Sequence, residues 1–336
     1  MKATAKKILS PFFFFYGILV YPFTKKVPKL GILGFRAFFV LTNGRSHDFM
    51  SGMIKIFRKS YSSVDYKESL KMLTDKSLEE VVDQIKEDGC YIFDKTLPKE
   101  IIDSLEKFAE ETPVRKLLTG KKNIQFAKEK FILDVNNPES PRYQYDPQDV
   151  VGDPLVQEMI FNQAFLAISN EYFGSKPIFD RISMWWSLPF GEAEKSNAAQ
   201  LYHFDLPRFQ WIKFFIYLTD VHEENGPHCF VKKSHKRLPK KLRKDGRMDD
   251  ELVRSVFGSE NMIEIEGKRG TVIAADTRAL HKGKPLTKDH RLLLQLQFAN
   301  ALYGGEVQSY ELGQLKEKDQ KLVNKYTKSY KLITTK

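Results

Sequence analysis

A chain of 336 residues with 42% hydrophobic and 13% aromatic side chains can bury a full core, which excludes wholesale disorder and leaves room for one large domain with additions or two modest ones. Its formal net charge of +11 favours anionic partners in general and says nothing about fold. The two cysteines, Cys90 and Cys229, offer no C-x-x-C pair and no disulfide framework, as expected of a reducing, cytoplasmic compartment.

The positive charge is uneven along the chain. Residues 1–47 contain no Asp or Glu, against Lys2, Lys6, Lys7, Lys25, Lys26, Lys29, Arg36 and Arg45. Between the lysines runs Ile8 to Phe23, almost wholly apolar and including Phe12, Phe13, Phe14 and Phe15. A basic start with no small-residue cleavage site after it argues against a signal peptide. At about 16 residues, with Ser10 and Pro11 inside, the stretch falls short of the roughly 20 that cross a bilayer. Three readings stand side by side: a segment lying in a membrane interface, with peripheral membrane contact, a pair of helices packed on the rest of the chain, and a transmembrane helix. Residues 48–75 read as a polar connection with helical pieces.

From Ser77 the pattern sharpens. Leu78, Val81, Val82 and Ile85 recur at helical spacing, and Asp88-Gly89 ends that helix. Cys90-Tyr91-Ile92-Phe93 reads as a short strand, and Leu97-Pro98 leads into a second amphipathic helix through Ile101, Leu105 and Phe108. Residues 153–173 read as one helix, with Pro154 in its first turn and Gly174 after its end. Strands are then expected over Ile182–Leu188, Gln200–Asp205, Trp211–Val221, His228–Lys232, Met262–Glu266, Thr271–Asp276 and Leu292–Phe298. Short strands without intervening crossover helices point to an antiparallel sandwich or barrel. The lysine-rich tail from Glu306 reads as a solvated helix.

Seven histidines are present, and one stands in a chemical setting. His203-Phe204-Asp205 closes an apolar strand, and residues i and i+2 of a strand project from the same face. An imidazole beside a carboxylate supplies two ligands for a divalent metal. A third must come from elsewhere, because two ligands rarely hold Fe(II) tightly. Two histidines and one carboxylate with open positions is the arrangement of non-haem Fe(II) oxygenases. The candidate third ligand is His281, which follows the Gly-initiated apolar strand Gly270–Asp276.

Arg291 comes ten residues after His281 and opens the strand Leu292–Phe298. If 2-oxoglutarate chelated the iron through one end, its far carboxylate would need a cation, and arginine offers bidentate geometry that lysine lacks. Strand parity puts Arg291, Leu293, Gln295 and Gln297 on one face. A largely polar row facing a barrel interior is costly without a ligand or water to satisfy it. Trp185 and Trp186 are expected to face opposite ways, one to the pocket and one to the core. Tyr202, Lys213, Gln200 and Gln295 are further pocket candidates, and Asp276 belongs either to the site's surroundings or to its turn. The basic run from Lys236 to Arg247 reads as a solvated loop, or else as a contact for substrate phosphates. No nucleic-acid module is recognisable.

Tyr202-His203-Phe204-Asp205, Phe215–Val221, Asn225-Gly226-Pro227-His228, Lys233–Lys236 and the stretch from Asp276 to Gln297, in this order, resemble the phytanoyl-CoA dioxygenase family. The resemblance covers roughly residues 75–302, leaving residues 1–74 as an N-terminal extension and 303–336 as a tail. It implies a double-stranded β-helix (jelly roll) with flanking helices, His203, Asp205 and His281 as iron ligands, and Arg291 as the 2-oxoglutarate anchor. It also implies an oxygenase using Fe(II), 2-oxoglutarate and O2. The retained Asp205 favours hydroxylation over halogenation, which needs that position vacated for chloride. A small-molecule or lipid-like substrate is expected, and oligomeric state is not set by the sequence. Two competitors remain: a non-oxidative cupin-like enzyme with zinc or manganese, and a silent scaffold docked at a membrane.

Overall fold

The computed structural model, which describes residues 3–118, 124–190 and 201–335, opens with three helices: α1 (Ala3–Thr24), α2 (Lys29–Thr42) and α3 (Arg45–Phe57). α1 and α2 form a hairpin whose crossing depends on glycine. A Cβ on Gly31 would sit 2.9 Å from the Cα of Gly17, and one on Gly34 would sit 2.3 Å from the backbone nitrogen of Phe14. Any larger residue would force the helices apart. Their close approach buries Phe14, Phe35 and Phe39 against Phe209 and Tyr303 of the main body. No helix among the described residues is long and apolar enough to cross a membrane.

After α4 (Lys67–Lys71), the helix expected from residue 78 is α5 (Leu78–Asp88). A reciprocal capping box between Ser77 and Glu80 starts it, and Gly89 at φ 93° ends it, a conformation that glycine adopts without steric penalty. β1 (Cys90–Ile92), α6 (Lys99–Glu111), β2 (Val114–Lys116), β3 (Arg142–Tyr145) and α7 (Pro147–Gly152) follow. The single helix expected over 153–173 is two, α8 (Pro154–Ile160) and α9 (Gln163–Phe173). Asn162 breaks it, because its side chain accepts from the backbone nitrogens of Ala164 and Phe165 and so caps the second helix.

The remaining strands are β4 (Ile178–Ser187), β5 (Trp211–Tyr217), β6 (His228–Val231), β7 (Met262–Ile265), β8 (Val272–Ala275), β9 (His281–Gly283) and β10 (Arg291–Ala299), with α10 (Asp250–Phe257) between β6 and β7. A seven-stranded antiparallel sheet runs β1-β8-β5-β10-β4-β3-β2, and a three-stranded one runs β7-β6-β9. Together they make the jelly roll. Parity divides the large sheet's side chains. Ile182, Met184, Trp186, Phe214, Ile216, Leu292, Leu294 and Leu296 face α5, α6, α8 and α9 in one core. Trp185, Phe215, Tyr217 and Leu293 face the small sheet's Phe230 and Ile265 in another.

The expected strand over Gln200–Asp205 is reduced, within the described residues, to single bridges from Tyr202 to Met248 and from His203 to His281; Gln200 lies outside the described residues. The tail is less free than its lysines imply. Beyond residue 306, β11 (Tyr310–Leu312), α11 (Glu317–Lys325) and β12 (Ile333–Thr335) pack on the body, burying Tyr310, Tyr326 and Tyr330 in the helix-side core. Lys316, Lys318 and Lys321 stay in solvent.

Candidate metal centre

His203 and His281 sit opposite one another across an antiparallel bridge, each backbone nitrogen donating to the other's carbonyl at 3.1 and 2.9 Å. Asp205 is tied to the same turn by its own N–H, which donates to the carbonyl of Thr277 at 2.8 Å. His203 and His281, 78 positions apart in the chain, are thus brought together by backbone pairing before any side chain is considered. One ligand atom each from His203, Asp205 and His281 lies within 4.8 Å of the others.

The imidazoles are held in one tautomer. Nδ1 of His203 lies 2.9 Å from the carbonyl of Leu201, and Nδ1 of His281 lies 2.9 Å from that of Ala279. A carbonyl can only accept, so each Nδ1 carries the proton and each Nε2 keeps its lone pair. Those Nε2 atoms point at the carboxylate, 3.9 Å from Asp205 Oδ1 for His203 and 3.5 Å from Oδ2 for His281. Burial, reinforced by the His281 ring, pushes the His203 imidazole down to about 3, so it is neutral at physiological pH. Burial alone would raise Asp205, but the Lys213 ammonium 2.6 Å away and the His281 ring outweigh it and hold the carboxyl well below the usual range. Two imidazoles and a carboxylate converging on one point fit a divalent metal.

The three residues stand on the wall of a cavity of about 550 Å³ between the two sheets. Arg291 is on the same wall, only 5% exposed. Its Nη2 reaches Ser187 Oγ at 3.5 Å, while Nε and Nη1 have no partner among the described residues. Burial lowers this guanidinium's pKa from its ordinary value. A buried cation with idle donors is a site for an anion. Gly283, two residues past His281, makes the room: a Cβ there would sit 3.1 Å from Arg291 Nη2.

The other pocket candidates divide. Trp185, Lys213 and Gln295 line the cavity, and Trp186 turns to the helix-side core, donating its indole N–H to Tyr145 Oη at 2.6 Å. Tyr202 does not line it. One residue before His203, it falls on the opposite face, packed with the helical hairpin's aromatics and under Lys282 Nζ at 4.9 Å. Asp276 is fully buried away from the cavity, accepting from Tyr172 at 2.6 Å and pairing with Arg278, which also reaches Asp48 of α3. It builds the turn. Of the basic run, Lys236 and Arg237 pair with Glu87 and Asp48, and Arg247 lines the cavity.

Two residues of the site carried no assignment from sequence. His228 lies against the His203–Asp205–His281 group, its ring parallel to that of His281 within 4° at 5.7 Å, with a buried Nε2 that has no partner among the described residues. It leads the strand His228–Val231 after a Gly-Pro turn, so parity with Phe230 was the available signal. Arg142 stacks over Trp185 at 4.6 Å and is pushed down to about 10 by burial and by Arg291. It pairs in register with Ser187, which pairs with Arg291 from the other side. Only the strand order reveals that row.

The profile of the phytanoyl-CoA dioxygenase (PhyH) family matches residues 85–292. The chain belongs to this family. The match spans His203, Asp205, His281 and Arg291, and the family is one of iron- and 2-oxoglutarate-dependent oxygenases. Among solved structures, the chain is similar to the apoform of EctD from S. alaskensis, at 15% identity over 74% of this chain and 85% of that one, with a TM-score of 0.48. It is similar to the non-haem epimerase SnoN from nogalamycin biosynthesis, at 14% identity over 66% and 82%, with a TM-score of 0.49. HygX from Streptomyces hygroscopicus matches at 13% identity over 69% and 90%, with a TM-score of 0.43. No curated protein matches the chain in sequence.

Proposed function

We propose that this phytanoyl-CoA dioxygenase family member is a hydroxylase, inserting one oxygen atom into an unactivated C–H bond of a small-molecule or lipid-like substrate. His203 Nε2, His281 Nε2 and an Asp205 oxygen would hold Fe(II), and Arg291 would grip the far carboxylate of 2-oxoglutarate. Bound together, the metal and co-substrate supply the oxidising chemistry: O2 gives one atom to the substrate and one to 2-oxoglutarate, which leaves as succinate and CO2. The chain's own residues do the rest. The carbonyls of Leu201 and Ala279 fix the imidazoles, Lys213 keeps Asp205 ionised, and the two sheets supply the cavity walls. Asp205 fills the position that a halogenase leaves vacant, which supports hydroxylation.

The observation that carries the reading is the buried Arg291 with two idle donors in the same cavity as the His203–Asp205–His281 cluster. A non-oxidative metalloenzyme with those ligands would leave that guanidinium without a purpose. Among the described cavity residues, Arg36, Arg142, Arg181, Lys213, Arg247 and Arg291 outnumber Asp205 and Asp245, which favours a substrate carrying an anionic group. Both cysteines are buried and free, with Cys90 and Cys229 each raised to about 12 by burial, in keeping with a reducing, cytoplasmic setting.

Anaerobic titration with Fe(II) and then 2-oxoglutarate tests the assignment. A weak visible charge-transfer band is expected in the wild type and lost in His203→Ala, with succinate forming on admission of O2. A chain that binds Fe(II) and shows neither band nor succinate is not this enzyme.

A further inference from the structure

α1 carries two apolar faces, and the fold uses only one. Phe14 and Gly17 are buried against α2 and the body. On the other side Ile8, Phe12, Phe15, Leu19 and Phe23 are exposed by 66, 70, 55, 70 and 88%. Their spacing of three and four residues places them in one stripe along the helix. α3 repeats the pattern with Phe49, Ile56 and Phe57, exposed by 67, 66 and 78%. Large aromatic side chains seldom stand in water in such numbers unless something covers them.

Charge identifies the cover. No acidic residue occurs before Asp48, and Lys25, Lys26, Lys29 and Arg45 are exposed beside the stripes. A second copy meeting this face through a two-fold axis would set the same cations against each other. A bilayer span is excluded for the described helices by length and hydropathy. A basic rim around an aromatic and aliphatic face is the composition that rests in the headgroup region of an acidic bilayer.

We propose that α1 and α3 form a docking face for anionic phospholipid membranes, with Phe12, Phe15, Leu19 and Phe23 entering the interface and Lys25, Lys26 and Lys29 on the headgroups. Arg36 of the intervening α2 lines the reaction cavity and is bound bidentately to Asp245, at 2.7 and 2.6 Å. Docking therefore holds the cavity beside the lipid. The docking face stands independently of the metal assignment, and the two fail separately: vesicle binding reads one, and the charge-transfer band the other.

The test is co-sedimentation of the full chain with vesicles of phosphatidylcholine alone or mixed with phosphatidylserine. Binding to the mixed vesicles should be at least ~10-fold tighter than to the neutral ones, and should fall with added salt. Phe12→Glu with Phe23→Glu should abolish it while leaving the melting temperature and Fe(II) binding unchanged, since both positions are exposed. Lys25→Glu with Lys26→Glu should remove the preference for the acidic lipid. No wild-type binding, or binding that survives Phe12→Glu with Phe23→Glu, would overturn the proposal. So would a dimer in light scattering that the same double substitution dissolves, which would make a second copy the occupant.

Discussion

Arg291→Met separates a residue kept for its ligand from one kept for the fold. Among the described residues the buried guanidinium has no partner for Nε and Nη1, and its hydrogen bond to Ser187 Oγ is long at 3.5 Å. Leaving a buried donor unsatisfied costs about 1–3 kcal/mol. Methionine keeps an unbranched apolar stem and removes the charge, so the ligand-free variant should be more stable by roughly 1–3 kcal/mol after a small void is allowed for. For a chain of this length each kcal/mol moves Tm by about 1.5 °C, so an upward shift of about 2–4 °C is expected. The wild type, given a redox-inert divalent metal and 2-oxoglutarate at about 100 times its Kd, should gain about 2.7 kcal/mol, or about 4 °C. The variant should gain nothing from the co-substrate while still responding to the metal. Thermal denaturation with and without each ligand reads all of this. If Arg291→Met keeps the 2-oxoglutarate shift, or loses more than about 1 kcal/mol without ligand, the guanidinium serves the fold and the anchor assignment is wrong.

Gly283→Ala would place a methyl 3.1 Å from Arg291 Nη2, and should raise the KM for 2-oxoglutarate about 10-fold, worth about 1.4 kcal/mol, with metal affinity unaltered; steady-state succinate formation measures it, and an unchanged KM would show that Arg291 does not face the co-substrate. Lys213→Met removes the ammonium 2.6 Å from Asp205 Oδ2 and should destabilise the metal-free protein by about 3–5 kcal/mol. A bound divalent metal replaces that charge, so calorimetry should find a larger metal-induced stabilisation than in the wild type, and equal increments would count against Asp205 as a ligand. His47 is enclosed by Phe14, Phe35, Phe39 and Phe209, and burial, with Arg278 and Arg36 adding, holds it well below the ordinary imidazole value. The folded state keeps it neutral while the unfolded chain takes a proton below about pH 6.5, so stability should fall on acidification through that point by up to about 1.4 kcal/mol per pH unit from this group. Denaturant unfolding of His47→Leu should show a pH slope shallower by that amount, and identical slopes would refute the assignment.

What sequence alone revealed of the site is what strand geometry makes local. His203 and Asp205 share the cavity wall although no continuous strand carries them, while Arg291 shares a face of β10 with Leu293, Gln295 and Gln297 by strand parity. Trp185 and Trp186 separate into cavity and core by the same rule. That rule also shows why Tyr202 was misplaced: parity with His203 sends it to the opposite face. Arg142 could not be found this way, because its place beside Arg291 is a matter of which strand neighbours which, through Ser187. His228 was hidden similarly. Its stacking on His281 depends on β6 pairing with β9, a contact between segments 53 positions apart. The helix break at Asn162 was readable, since an asparagine followed by two capped nitrogens is a local signal, and the apolar run across it masked the cap.

The N-terminal segment shows a different limit. A helix that is apolar all round is ordinarily buried in protein or in lipid, and from composition the two are the same string of residues. In α1 the first description holds on one face, and the opposite face is left exposed. Gly17 is buried where a side chain would collide with Tyr303 and Gly31, while Phe12 and Leu19 flank it in sequence and stand 70% exposed. A buried glycine stripe fixes the crossing with α2, so the direction in which the phenylalanines point is a consequence of backbone approach. Replacing the exposed phenylalanines with polar residues should leave that crossing intact, whereas a side chain at Gly34, 2.3 Å from the Phe14 nitrogen, should dislodge α1 and expose His47 beneath it. The periodicity of the stripe was present in the sequence. What selects its outward face is the glycine contact on the inner one.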